Sequence, residues 1–445
     1  MRVSMHNNTG LLAAAFILLL NQFSWAGPTN IVFIMADDLG WADVGFHGGN
    51  APTPFLDKMC AEGLELTHHY VAPVCSPTRT GLMTGRFWSR FGVVSPQNER
   101  ALPWETTTLA TALKSVGYQT CLIGKWHLGS TPTEGPNHFG FDHSYGSLAG
   151  GVSPWNHRYK QGPFTETWHR NEMLIAEPGH VTDLLRKEAI SWLESHSNKP
   201  FFMYVPFTAV HLPVKEPIEW VNKVPDSIQG EVSRHYAASI MHLDDAVKQI
   251  VNTLERLGVR DNTLIVFTSD NGGSTAENND LKYPDDNCPN GVLPGNNLPL
   301  RGQKGTLYEG GIRVPTIVSW RGAKPGKIDE PMHITDWMPT FCELANYSPT
   351  RSLGWDGESV LSVLQVHSGL PEREFYSVAP GWRGQALRVG EWKLIKSDSQ
   401  IELFNLKSDP SESKNVASEN GELLEKMKLK LEEIAMRDRE SEVKH

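Results

Sequence analysis

Cys75-Ser76-Pro77-Thr78-Arg79, followed after four residues by Thr84-Gly85-Arg86, is the segment that says most about chemistry in this chain. Ser76-Pro77 reads as a helix start, because proline suits the first helical position, where its missing N–H is not needed. Cys75 and any attached anion would then lie beside the unpaired N–H groups and positive end of a helix. A cysteine on its own would more often be a small buried hydrophobe. Residues elsewhere could work beside it. Asp37-Asp38 follows the apolar run Asn30–Ala36, and Asp270-Asn271 follows a second run at 263–268. Their three carboxylates and amide oxygen are hard donors suited to Ca²⁺ or Mg²⁺. Singly, each pair reads equally well as a polar turn. Gly124-Lys125-Trp126-His127-Leu128-Gly129 places a cation and an imidazole two residues apart, so both face one way if the segment is extended. That pairing suits an anion that is bound and then deprotonated or released. His211, ahead of Pro213, and Lys304, in a loop whose glycines permit close backbone approach, are weaker signals taken alone.

These residues need elements to hold them. Residues 30–36 and 263–268 are continuous apolar runs, the pattern of strands buried on both faces. A third strand is expected at 200–205. A helix is expected over 182–195, and a strongly amphipathic one carries Tyr236, Ile240, Leu243, Val247, Ile250 and Leu254 on one face, with Gly258 near its stop. Strands alternating with helices predict an α/β domain around a mostly parallel sheet, over 27–345. Ligands in such sheets bind beyond the carboxyl ends of the strands, where Asp37-Asp38 and Asp270-Asn271 lie. From 346 to 445 the character changes to a smaller α+β subdomain. It has a hairpin at 386–389 and 392–395, a strand at 402–406 and a charged helix from about 422.

Composition narrows the function classes. The formal net charge of −10 argues against a nucleic-acid surface, while leaving room for a locally cationic pocket. Five scattered cysteines without a C-x-x-C pair make neither a disulfide framework nor a zinc ribbon. Arg2, the apolar run at 11–20 and Ser24-Trp25-Ala26 read as an export signal, 1–26, cleaved after Ala26. No later segment has transmembrane length. The mature protein is expected to be exported, secreted or periplasmic.

In order and context, Asp37-Asp38, C-x-P-x-R at Cys75, G-K-W-H-L-G at Lys125 and His127, His211 before a proline, D-N-G at Asp270 and R-G-x-K-G at Lys304 resemble the type I, formylglycine-dependent sulfatases of the alkaline phosphatase superfamily. The resemblance runs over nearly the whole mature chain and implies a large mixed sheet sandwiched by helices. It also implies that a maturation enzyme oxidises Cys75 to formylglycine. Calcium would be bound by Asp37, Asp38, Asp270 and Asn271 together with the modified Cys75. Arg79 would hold the aldehyde hydrate, Lys125 and Lys304 the sulfate oxygens, His127 would act as base, and His211 would sit near the leaving oxygen. The implied reaction is a double displacement: one hydroxyl of the hydrate attacks sulfur, the alcohol leaves, and loss of the second hydroxyl's proton expels sulfate. An exported sulfatase is expected to act on a sulfated polysaccharide or glycosaminoglycan. An aryl sulfatase, a phosphomonoester or phosphonate hydrolase of the same fold, and an inert glycan-binding protein are the alternatives. Substrate recognition is expected in the aromatic and basic loop bearing Trp155, His157, Arg158, Tyr159, Trp168, His169 and Arg170, with residues 277–297 as a second rim.

Overall fold

The apolar runs become strands with little change in extent: β1 (Asn30–Ala36) is buried along its whole length. The structure, a computed structural model, describes residues 28–278, 283, 287–366 and 369–440. The expected export signal lies outside the described residues, as does part of the second rim. Along the chain follow β2 (Leu64–Leu66), β3 (His69–Tyr70), β4 (Gln119–Lys125), β5 (His143–Ser147), β6 (Trp168–Arg170), β7 (Met173–Leu174), β8 (Phe201–Pro206), β9 (Thr263–Ser269), β10 (Ile317–Ser319) and β11 (Gly326–Ile328). Ten of these form one mixed sheet in the order β11-β2-β10-β9-β1-β8-β4-β5-β6-β7. Its centre, β9-β1-β8-β4-β5, is parallel throughout. Five neighbouring strands therefore end on the same side.

Both faces are covered, which is why the central strands show no polar alternation. Ile31, Phe33 and Met35 pack with Leu82 and Met83 of helix Cys75–Thr84 and with Trp337 and Phe341 of helix Trp337–Leu344. Val32 and Ile34 pack on the opposite face with Leu185 and Leu193 of helix Val181–His196, and with Leu243 and Val247 of helix Glu231–Arg256. The last of these stops where expected, ahead of Gly258 at φ +70°. Among the described residues, no helix is long and apolar enough to cross a membrane.

The C-terminal region is a four-stranded antiparallel meander, β13 (Glu374–Val378), β14 (Gly384–Val389), β15 (Trp392–Ser397) and β16 (Ile401–Asn405), preceded in the chain by the short β12 (Met332–His333). The expected hairpin is β14–β15, turning at Gly390 with φ +56°. Helix Gly421–Met436 lays Met427, Leu431 and Ile434 against it. β13 carries no sequence signal of comparable strength. This small sheet also reaches into the first region through a buried charge cluster. Lys393 Nζ lies 2.9 Å from Glu309 Oε1 and 2.7 Å from Glu412 Oε1, while the Tyr70 hydroxyl donates to Glu309 Oε2 at 2.6 Å. Removing one member of a buried ion set leaves the others charged and unpaired. Lys393→Met is therefore expected to lower unfolding stability by about 3–5 kcal/mol, measurable by denaturant titration. A loss below about 1 kcal/mol would mean that water reaches the cluster.

Candidate active site

Register brings the first two acidic segments together. Ala36 of β1 pairs with Ser269 of β9, so Asp37 and Asp270 leave the sheet side by side. Asp38 turns into the left-handed region at φ 63°, a strained posture for a non-glycine residue. It is held there by its N–H, which donates to Asp270 Oδ1 at 3.1 Å. Asp37 N donates to Ala209 O at 2.8 Å and Val210 N to Asp37 O at 2.7 Å. Those bonds fasten the His211 loop, which follows β8, to the end of β1. Gly272 is needed because a Cβ there would meet the Gly310 carbonyl oxygen at 1.8 Å. Lys304 N donates to Gly273 O at 3.1 Å and Gly305 N to Pro73 O at 2.7 Å. The Lys304 loop is thus tied to the Asp270 turn on one side and to the chain entering the Cys75 helix on the other.

Helix Cys75–Thr84 begins two residues earlier than expected, with Val74 as its N-cap. Pro77 is therefore its third residue rather than its first. It remains in the first turn, where backbone N–H groups have no partner within the helix, and Cys75 sits at the end of the dipole. Lys125 and His127 share a site for a different reason from the one expected. β4 ends at Lys125, and His127 takes a left-handed conformation at φ 60°, so the segment is not extended through both.

All ten candidate positions converge. Lys125 Nζ lies 2.7 Å from Asp37 Oδ2, Arg79 NH2 2.8 Å from Asp270 Oδ2, and Lys304 Nζ 2.7 Å from Asp38 Oδ2. Asn271 Nδ2 donates to Asp38 Oδ1 at 2.8 Å. His211 Nε2 is 3.8 Å from Asp38 Oδ2. The Cys75 sulfur lies 3.2 Å from His127 Nδ1. Burial pushes the Asp38 carboxyl up, but Lys304, by its charge and its hydrogen bond, and His211 together outweigh it and hold the group below its usual range. Asp270 is raised, by burial and then by the nearby Asp37 charge. Burial also raises the Cys75 thiol, against the pull of Lys125 and Lys304, so the unmodified thiol is a poor nucleophile. His127 is pushed well down by burial and by Lys125, and His211 by burial and by Lys304. Both imidazoles are therefore neutral at pH 7.

The donor set fits a hard divalent cation. Asp37 Oδ1 and Asn271 Oδ1 are buried without a hydrogen-bond partner, a costly state for polar oxygens. A cation held by these two oxygens, with Asp38 and Asp270 beside them, removes that cost. Oxygen-only ligation of this kind suits calcium. Asp37, Asp38 and His211 each offer an atom within 4.8 Å of the others.

Several contributors escaped the sequence. Thr78 Oγ1 donates to Asp270 O at 2.6 Å, and Tyr204 OH lies 3.4 Å from Arg79 NH1. Gly150 and Gly151 make room for both histidines, since a Cβ on Gly151 would stand 2.3 Å from His211 Nδ1 and one on Gly150 3.1 Å from His127 Cε1. The Gly-Gly pair was the only available signal. The expected recognition loop divides. Tyr159 packs beside Gly150 at the site, and Trp155 is 39% exposed. Trp168 and His169 are buried in β6, contrary to expectation, with His169 Nδ1 2.8 Å from Gly146 O. His157 is buried and stacks on Trp168, while Arg158 and Arg170 pair with Glu166 and Glu188.

Known proteins resemble this arrangement. The family model described as Sulfatase matches residues 29–347. Arylsulfatase J of Mus musculus is 32% identical over 398 residues, covering 82% of this chain and 64% of its own length. N-acetylgalactosamine-6-sulfatase of Mus musculus is 30% identical, covering 82% of this chain and 71% of its own. The crystal structure of Ps i-CgsB in complex with k-i-k-neocarrahexaose superposes with a TM-score of 0.84 at 30% identity, over 93% of this chain and 94% of that one.

Proposed function

Because the chain belongs to the sulfatase family, we propose that it hydrolyses sulfate esters of a saccharide, with Cys75 oxidised to formylglycine by a maturation enzyme and calcium held by Asp37, Asp38, Asp270 and Asn271. The observation that carries this reading is the buried Cys75, 3.2 Å from the neutral His127, in a pocket that also gathers three cations and three carboxylates. Formylglycine at position 75 would supply, as its hydrate, two hydroxyls on one carbon, one a nucleophile and one whose deprotonation would allow sulfate to leave. Calcium, when bound, would supply positive charge beside the transferring group. His127, with Nδ1 against the side chain of position 75, is placed to take the proton of that second hydroxyl. Lys125 and Lys304 bind the sulfate oxygens. Arg79 is anchored by Asp270 and by the Lys125 carbonyl at 2.7 Å, and its buried Nε has no partner, leaving a donor for the hydrate.

A saccharide substrate is favoured over a simple aryl sulfate by two relatives, one named for N-acetylgalactosamine and one bound to a neocarrahexaose. The aromatic Tyr159, beside Gly150 and His127, offers a face on which a sugar can stack. Residues 1–26 support export, with the leader removed after Ala26. The test is turnover of defined sulfated saccharides by protein whose Cys75 peptide carries the aldehyde mass. Cleavage of at least one saccharide sulfate, faster than its phosphate analogue, is expected. Activity confined to aryl sulfates or phosphate esters would overturn the substrate reading.

His211 is the proton donor to the leaving oxygen in this scheme. Its Nδ1 is engaged by the Leu212 carbonyl, which leaves Nε2 for the substrate. The imidazole is held neutral by burial and Lys304, so its proton depends on the negative charge that the ester brings. His211→Asn should slow a sugar sulfate by about 10²–10⁴-fold but an aryl sulfate far less, because a phenolate leaves without help. Equal losses on both substrates would remove His211 from that role.

A further inference from the structure

The loop bearing His211 runs on to a second cluster that the sulfatase reading does not use. His180 stands immediately before helix Val181–His196, Glu216 follows β8 in the His211 loop, and His242 lies within helix Glu231–Arg256. All three are buried, at 4%, 6% and 1% exposure. His242 Nδ1 is 2.7 Å from Glu216 Oε2, and His180 Nε2 is 3.6 Å from Glu216 Oε1. Each of the three offers a ligand atom within 4.8 Å of the others. Asp183 Oδ1 stands 3.5 Å from the far nitrogen of His242 and is itself held by Arg186 at 2.9 Å. Aromatic rings close the cluster: Trp220 stacks on His242 at 4.7 Å, and Trp155 meets His180 edge-on at 5.1 Å.

We propose that His180, Glu216 and His242 form a second metal site, separate from the Cys75 pocket, that takes zinc. Two imidazoles and one carboxylate are ligands that zinc accepts in tetrahedral geometry, whereas calcium prefers oxygen alone. At zinc–ligand distances of about 2.0–2.2 Å, tetrahedral donors stand about 3.3 Å apart; the two imidazoles approach separate oxygens of Glu216, at 2.7 Å (Oε2) and 3.6 Å (Oε1), within a small adjustment of that spacing. Asp183, 3.5 Å from His242 Nε2, stands where a carboxylate is found behind ligating imidazoles, on the side away from Nδ1.

A metal-free account would make His242 an imidazolium between Glu216 and Asp183. Burial opposes that charge, but the two carboxylates push the group up to about 9. This account explains His242 and leaves His180 unexplained. Both ring nitrogens of His180 are buried without a hydrogen-bond partner, and buried polar atoms are rarely left so. A metal takes one of them. The consequence lies in positioning. Glu216 is five residues beyond His211, so zinc would tie the His211 loop to two helices.

The test loads chelator-stripped protein with Zn²⁺ in excess Ca²⁺, desalts it, and measures metal by mass spectrometry alongside the unfolding midpoint. The wild type and Cys75→Ala should each retain about one zinc, with a midpoint raised by about 5 °C or more. His180→Gln and His242→Gln should retain none and show no rise. No zinc in the wild type, or equal zinc in both variants, overturns the proposal. Should a variant fail to fold, Co²⁺-loaded wild type decides: tetrahedral nitrogen–oxygen bands support the site, and thiolate or octahedral bands overturn it. Metal content is read independently of sulfatase turnover.

Discussion

Protein carrying Cys75→Ser should react once with a sulfate ester and then stop, with the sulfuryl group retained on the introduced hydroxyl. The attacking oxygen forms a bond to sulfur, and the sugar oxygen departs with a proton. A serine sulfate then has no second hydroxyl on the same carbon. No carbonyl can form by expelling sulfate, and release waits on water in a buried pocket. Multiple turnover should fall by about 10⁴-fold or more, the scale seen when a nucleophile is removed. Intact-protein mass should show a stoichiometric adduct. The fold should survive, because Cys75 is 2% exposed and a hydroxyl of similar size can meet His127 Nδ1 at the same 3.2 Å position. Unoxidised wild type should also be inactive, since burial keeps its thiol protonated. Sustained turnover by Cys75→Ser, without an adduct, would sink the formylglycine mechanism.

The parts of this site that were legible in the sequence are those fixed by local pattern. The runs at β1 and β9 are apolar throughout because helices cover both faces, and a polar pair directly after such a run can only lie at the sheet's end. Asp37-Asp38 and Asp270-Asn271 were readable for that reason. Parallel register then places them together, Ala36 against Ser269. Strands of two to five residues, such as β6, β7, β10 and β13, are too short to show a period, and their pairing is set by contacts far away in the chain. Lys125 and His127 reach one pocket without the extended segment expected, because sequence does not announce a left-handed histidine. The His180, Glu216 and His242 cluster was invisible for a further reason. Its members are spread over more than sixty residues, His242 in a helix whose periodicity packing already explains and His180 and Glu216 outside any periodic segment.

The charge pairing in the Cys75 pocket predicts that calcium and sulfate bind cooperatively. Lys125, Lys304 and Arg79 are each committed to a carboxylate, Asp37, Asp38 and Asp270 respectively, at 2.7–2.8 Å. An ammonium neutralised in this way attracts an anion weakly. Calcium would draw on the same carboxylates as the lysines, and every carboxylate charge it offset would restore positive charge to the pocket. Sulfate in turn draws the lysines away from Asp37 and Asp38, which favours calcium. Linkage requires the two effects to be equal: whatever factor calcium adds to sulfate affinity, sulfate adds to calcium affinity. With two buried ion pairs involved, that factor should reach about 100-fold, near the upper end of ordinary coupling energies. Titration calorimetry on Cys75→Ala protein, which cannot turn over, would measure each ligand with and without the other. In matured wild type, stripping calcium should cost about 10³-fold in turnover, the several kcal/mol that a metal supplies to a charged transition state, and added Ca²⁺ should restore it. Sulfate binding that ignores calcium would show that the lysines are not held by the carboxylates in solution, and the proposed exchange of partners would fail with it.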